Sequence, residues 1–295
     1  MDKTYVGEIA ALVVSFCWAA SSSYFEAASR KVGSLVVNHI RLVLAFVMLG
    51  IFGLFTSGSF FPTGAGQQQW IWLSLSGLVG FFLGDLLLFK SLTLLGARLS
   101  MLVMTFSPAM TALIGFLLLD ERLTLFQILA VILIISGILM AFIGREKGKF
   151  HFNISFKGFL YALGGALGQS FGYILSKKGV GNYDPFAATQ IRIITGLLFF
   201  TILVSVLKRW PSFNKAIKDV TSMKQITIGS FFGPGLGVAL SLYALTKTET
   251  GIASVLMSLT PILLIVPAFI RGRRIAPMEL IGAFVSVSGV MILFL

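Results

Sequence analysis

One acid stands deep inside an otherwise apolar run of the chain: Asp85, in "GFFLGDLLLFKSLTLLG" (residues 80–96). A charge in such a run costs several kcal/mol unless it is paired, hydrated or drawn to an interface. Two cationic candidates share its depth, Arg41 and His39 in "NHIR". With a helix entering near Ser34, Arg41 lies roughly 10 Å along it, and Asp85 lies roughly 10–15 Å from the same end of its own helix. Three readings stay open. Asp85 and Arg41 form a buried pair that orders the bundle, Asp85 is a carboxylate coupled to protons or substrate, or Asp85 faces water. Lys90 is turned about 140° from Asp85, so the two do not share a face. It reads as a lysine that snorkels to the interface.

The elements that must position these residues are membrane spans. The chain has 295 residues, 57% of them hydrophobic and 12% charged. Its apolar residues come in blocks near 20 long, enough for a hydrocarbon core of roughly 30 Å. No alternating short segments suggest a transmembrane β-barrel. The net charge of +12 fits loops facing an anionic leaflet better than nucleic-acid binding. Cys17 has no second cysteine to pair with, and His39 and His151 are too few for a metal cluster. The stretch "EIAALVVSFCWAASSS" loosely resembles a signal peptide but lacks a basic leader, and it reads as a retained first span.

Gly, Pro and charge breaks mark ten spans: about 7–27, 34–56, 70–92, 99–119, 124–143, 157–177, 186–207, 225–246, 250–270 and 276–294. The polar connection 144–158 divides them into two halves, 1–145 and 146–295. The halves match when "SPAM" (107–110) is laid on "TPIL" (260–263). That alignment places Gly80 on Gly233, Gly84 on Gly237 and Pro108 on Pro261, with Arg41 near Arg192. An odd number of spans per copy inverts the second copy. The expected fold is therefore an all-α polytopic membrane protein of ten transmembrane helices in two inverted five-helix repeats. In such transporters the substrate site lies near the midplane. Sixteen of the 23 Lys and Arg fall on one set of loops and five on the other. The positive-inside rule then places both termini outside the cytoplasm, in a multi-pass protein of the cell (inner) membrane.

The stretch from "GFFLGD" through "SPAMTALIGF" and "DERLTLFQ" resembles the signature of EamA-domain transporters of the drug/metabolite transporter superfamily. Arg41 and Arg192, early in helices 2 and 7, resemble the same pattern. The resemblance implies ten helices, a central cavity, and export or exchange of small metabolites, often amino acids. One departure is that Arg273 in "RGRR" stands where the first copy has Glu121.

A cavity needs polar and aromatic lining. Helix 1 offers Trp18, Ser22 and Tyr24, and its counterpart offers Gln169, Ser170 and Tyr173. Gln190, Arg192 and Tyr243 complete the candidates. Arg192 has no acid counterpart in its own half, because Val238 replaces Asp85. The Gly-x-x-x-Gly stretches at 80–84, 233–237 and 164–172 read as close helix contacts. The segment 208–224 could lie along cytoplasmic headgroups.

The expected activity is secondary transport of a small organic metabolite by alternating access, with proton coupling through Asp85 as one form of it. The expected partners are that small-molecule substrate, the lipid bilayer and, when coupled, protons. Nucleic acid is not expected, no cofactor is expected, and both a monomer and a homodimer remain open. A non-transporting membrane scaffold is the alternative, and enzymatic activity is not expected.

Overall fold

A computed structural model describes residues 5–119, 124–146, 149–152, 155–248, 250–270 and 276–293. Glu121 and the "RGRR" cluster lie outside these residues. The first helix, α1 (Val6–Val32), runs into α2 (Ser34–Ser57) through the single residue Gly33. Gly33 takes φ +93°, a conformation that L side chains rarely adopt, so a one-residue reversal is open to glycine here. Gly96 (φ +84°) makes the same reversal between α3 (Gln67–Leu95) and α4 (Ala97–Met104). Then follow α5 (Phe106–Leu119), α6 (Leu125–Phe142) and a short hairpin of β1 (Ile143–Glu146) with β2 (Lys149–Phe152). The second half holds α7 (Phe156–Val180), α8 (Pro185–Val206), α9 (Trp210–Lys218), α10 (Val220–Lys247), α11 (Thr250–Met257), α12 (Thr260–Ile270) and α13 (Pro277–Leu293).

Six of these helices are long and apolar enough to cross a membrane: α1, α2, α3, α6, α8 and α10. The rest depart for identifiable reasons. The apolar stretch of α7 is diluted by glycines, Gln169, Ser170 and tyrosines, and α13 is 17 residues long. The fourth and ninth expected spans are each broken in two. The first breaks at Thr105, three residues before Pro108, and the second at Ser258–Leu259, just before Pro261. Proline lacks an amide hydrogen, so it sits in the opening turn of α5 and of α12 rather than kinking a continuous helix.

Both halves also widen at one place. Residues Gly77–Gly84 of α3 and Phe231–Gly237 of α10 form wide turns with hydrogen bonds five residues apart. The repeat alignment lays the end of one, Gly84, on the end of the other, Gly237. Such turns inside an α-helix are costly and concentrate at functional positions.

The halves interleave. α3 packs along α7, whereas α10 packs along α1. α4 and α5 also pack on α7, as α11 and α12 pack on α1. α2 pairs with α8, and α6 with α13. This pattern maps onto itself when the halves are exchanged. The glycines explain the closest crossings. A Cβ on Gly168 would lie 2.5 Å from the Cα of Gly84, and one on Gly172 would lie 3.0 Å from the Cα of Gly80. The Gly-x-x-x-Gly stretches of α3 and α7 therefore face each other, backbone to backbone. Outward faces are apolar, as at Ile9, Phe16, Leu198 and Phe284, while serines, Arg41, Asp85 and Arg192 are buried inside. In 208–224 a separate amphipathic helix, α9, buries Phe213 and Ala216 and exposes Trp210 and Ile217.

Candidate functional site

α3 carries Asp85 on the turn that follows its wide segment, facing Arg41 of α2. The Arg41 guanidinium donates from Nη2 to one Asp85 carboxylate oxygen, and Gln169 donates from Nε2 to the other at 3.0 Å. Asn38 completes the cluster. Its Oδ1 accepts from Arg41 Nε at 2.9 Å, and its Nδ2 donates to the Asp85 carbonyl at 3.2 Å. Arg41 also lies 4.5 Å from the centre of the Phe89 ring, an attractive cation–ring distance. Asp85 and Arg41 are each 3% exposed, and a pair this deep holds only when its remaining polar atoms are met as well. Here they are. His39 takes no part in the pair. It bonds Thr201 at 2.9 Å and packs edge-on against Phe213 and Trp210, so burial next to α9 turns it away from Asp85.

The pair forms one wall of a cavity of about 750 Å³ between the halves. Trp18, Ser22, Gln169, Tyr173 and Arg192 line it with Asp85 and Arg41, as do Ser107, Pro108, Thr260 and Pro261 at the two helix breaks. Four other residues expected in the lining sit elsewhere. Ser170 is buried against Ser107, bonding its hydroxyl at 2.9 Å. Gln190 donates to the Phe60 carbonyl at 2.8 Å. Tyr243 packs beside Lys247, and Tyr24 is half-buried away from the lining.

Arg192 of α8 differs from Arg41. It is 2% exposed, and its Nε and Nη1 have no hydrogen-bond partner. Among the described residues no carboxylate reaches it as an ion pair. The Phe81 ring lies 4.7 Å from its guanidinium carbon.

The cavity has unlike ends. Lys177 and Lys178 are exposed and Gln127 half-exposed at one end, which forms the mouth. At the other, Phe25, Leu88, Phe89 and Leu92 close the space and are all at most 9% exposed. Beyond this plug lies Glu26, which the residue pattern alone did not single out. Its Oε2 accepts from the Ala97 amide at 2.7 Å and its Oε1 from Arg30 at 3.1 Å, tying α1 to the start of α4. The spacing of Glu26 and Arg30, four apart at the end of a helix, was the available signal. A second ion pair, Arg98 with Glu279 at 3.3 Å, ties α4 to α13 at the same end.

A family model described as the EamA-like transporter family matches the chain twice, over residues 5–143 and 156–295. The chain belongs to the EamA-like transporter family. Each match covers one half of the interleaved bundle, so the cavity of this EamA-like transporter lies between two copies of one family unit. Among solved structures, 26 chains match. One of them, titled only as the crystal structure of a protein, has a TM-score of 0.64 at 15% identity. The match covers 97% of this chain and 95% of that one. At that identity the likeness shows the fold alone. No curated protein matches the chain.

Proposed function

We propose that the protein is a secondary transporter that moves a small organic metabolite through this cavity by alternating access. The observation that carries the reading is a cavity of about 750 Å³ lined by charged, aromatic and apolar groups, with exposed lysines at one end and buried aromatic and aliphatic side chains at the other. A scaffold has no use for a charged hollow at its centre, where each buried charge is expensive. In this reading the fourth and ninth spans are the broken pairs α4–α5 and α11–α12, which brings the count to ten. The halves, 1–145 and 146–295, enter the bilayer with opposite orientation. The loop charges support an orientation with the plugged end toward the cytoplasm and the mouth outside. The two wide turns and two helix breaks fall at matching places, which supports them as the points where the halves flex during export or exchange.

Asp85 has both carboxylate oxygens occupied, which supports the ordering role over proton exchange. The binding groups are then Trp18, Ser22, Gln169, Tyr173 and Arg192.

The test introduces single cysteines by Ser22→Cys, Gln169→Cys and Leu92→Cys in a Cys17→Ser background. In sealed vesicles the first two should react with a membrane-impermeant thiol reagent from the mouth side. Substrate gradients should trade that reactivity for reaction at position 92 from the other side. Protection of all three from both sides in every condition would overturn the transport reading. A reporter fused after Leu295 checks sidedness: phosphatase activity is expected outside the cytoplasm, and fluorescence confined to a cytoplasmic reporter would reverse the assignment.

A further inference from the structure

We infer that the cavity binds an organic monoanion, with Arg192 as the counter-ion of its carboxylate-like group and an apolar body packed beside Phe81. This rests on the transport reading and narrows its substrate class.

The argument is one of charge balance. Arg41 and Asp85 neutralise each other inside the wall, and both Asp85 oxygens are occupied by protein donors. Arg192 is left with a full positive charge, buried, and with two guanidinium nitrogens unmatched. A cation in this state is destabilising unless an anion joins it. Among the described residues the rest of the lining adds Lys177 and Lys178 and no further acid, so the path inward favours negative charge as well. A guanidinium presents a planar fork that matches a carboxylate with two hydrogen bonds.

The same ledger disfavours an amino acid, the class implied by the family resemblance. Its ammonium would enter among these cations with no free carboxylate to receive it. The remaining walls, with Phe25, Phe81, Met101, Met104 and Met257, suit an aromatic or aliphatic body.

The test uses the full chain in phosphatidylcholine nanodiscs and three probes of one shape: phenylacetate, phenylalanine and phenethylamine. Calorimetry should show phenylacetate binding about tenfold or more tightly than phenylalanine, the weight of one charge-assisted hydrogen bond, with no binding of phenethylamine. Arg192→Gln should lose at least that factor for phenylacetate, and Arg192→Lys should keep part of it. Doping the discs with phosphatidylglycerol distinguishes a lipid headgroup from a free anion: phenylacetate binding unchanged by the doping is expected.

Arg192→Met, which removes an unpaired buried charge, should melt at or above the wild-type temperature and show no shift with phenylacetate. Equal binding of phenylalanine, undiminished binding in Arg192→Gln, displacement by phosphatidylglycerol, or no binding of phenylacetate by the wild type would each overturn the inference. A fall in the melting temperature of Arg192→Met would also do so, by making the residue a structural one. The cysteine-labelling result reads the transport cycle separately. Phenylacetate binding with fixed labelling would sink transport alone, and switching labelling without phenylacetate binding would sink the anion alone.

Discussion

Asp85 and Arg41, 44 residues apart in the chain, share a hydrogen-bonded ion pair in which Gln169 takes the second Asp85 oxygen and Asn38 the Arg41 Nε. Val238, the counterpart of Asp85 in the second half, carries no charge to offer Arg192. One half thus pairs its arginine with an acid, and among the described residues the other does not, at an equivalent level of the cavity wall.

Breaking the paired side should be costly. Asp85→Leu leaves Arg41 buried and unmatched, and about 3–5 kcal/mol of stability should be lost. Adding Arg41→Met should restore most of it, because the double variant strands no charge. Denaturant titration in detergent measures both steps, and a double variant as unstable as Asp85→Leu would refute the pairing. In the same scheme Asp85→Asn should leave the response of substrate flux to a pH gradient intact.

The glycine crossing makes a graded prediction. Gly168→Ala forces a methyl against the Gly84 backbone and should cost about 1–3 kcal/mol through overpacking. Gly80→Ala meets its neighbours at 3.4 Å or more and should cost clearly less. Melting temperatures of the two variants check the order, and the reverse order would contradict the described contact between α3 and α7.

Glu26 ties α1 to the start of α4 beyond the plug, and in the proposed cycle that contact holds the plugged end shut. Glu26→Gln weakens the acceptor of the buried Ala97 amide, a charge-assisted bond worth about 1.5–3 kcal/mol, and of half-exposed Arg30, a helix pair worth only about 0.3–0.5 kcal/mol. The closed state should lose population by about tenfold or more. Thiol labelling at Leu92→Cys from the plugged side should rise accordingly. No change in labelling would remove Glu26 from the gate.

Asp219 sits outside the spans, at the start of α10. Its carboxylate is held below its ordinary range chiefly by the hydrogen bond from Lys31, aided by the Ser222 amide. A depressed carboxylate stabilises the fold above its unfolded value, and that contribution is lost as pH falls through the folded one. Because the group is exposed, the effect should be small and screened by salt. A pH titration of the Asp219 carboxyl by NMR should show an upward move in Lys31→Met, and an unmoved curve would dismiss the pair.

Much of this was legible in the sequence because depth in a membrane helix is simple counting. The positions of the six membrane-length helices, the repeat, and the shared depth of Asp85 and Arg41 follow from position along the chain. Direction around the helix is harder. Gln169 lines the cavity while Ser170, the next residue, is turned onto Ser107. The wide turns in α3 and α10 carry much of the difficulty, since each inserts extra backbone and rotates everything beyond it. Neither has a local signature beyond glycines, and Pro234 marks only the second. The placement of His39 depended on α9, whose docking no local pattern around His39 announces.

The interleaving of the halves bears on ownership of the cavity. Each wall is a joint product: α3 needs α7 behind it, and α10 needs α1. Residues 1–145 made alone would present bare glycine stripes and half of a hollow, with Arg41 and Asp85 but no Gln169 to finish their bonding. Two separately synthesised fragments would therefore have to find each other before either held a binding site, and a lesion in one would be felt as a defect of both.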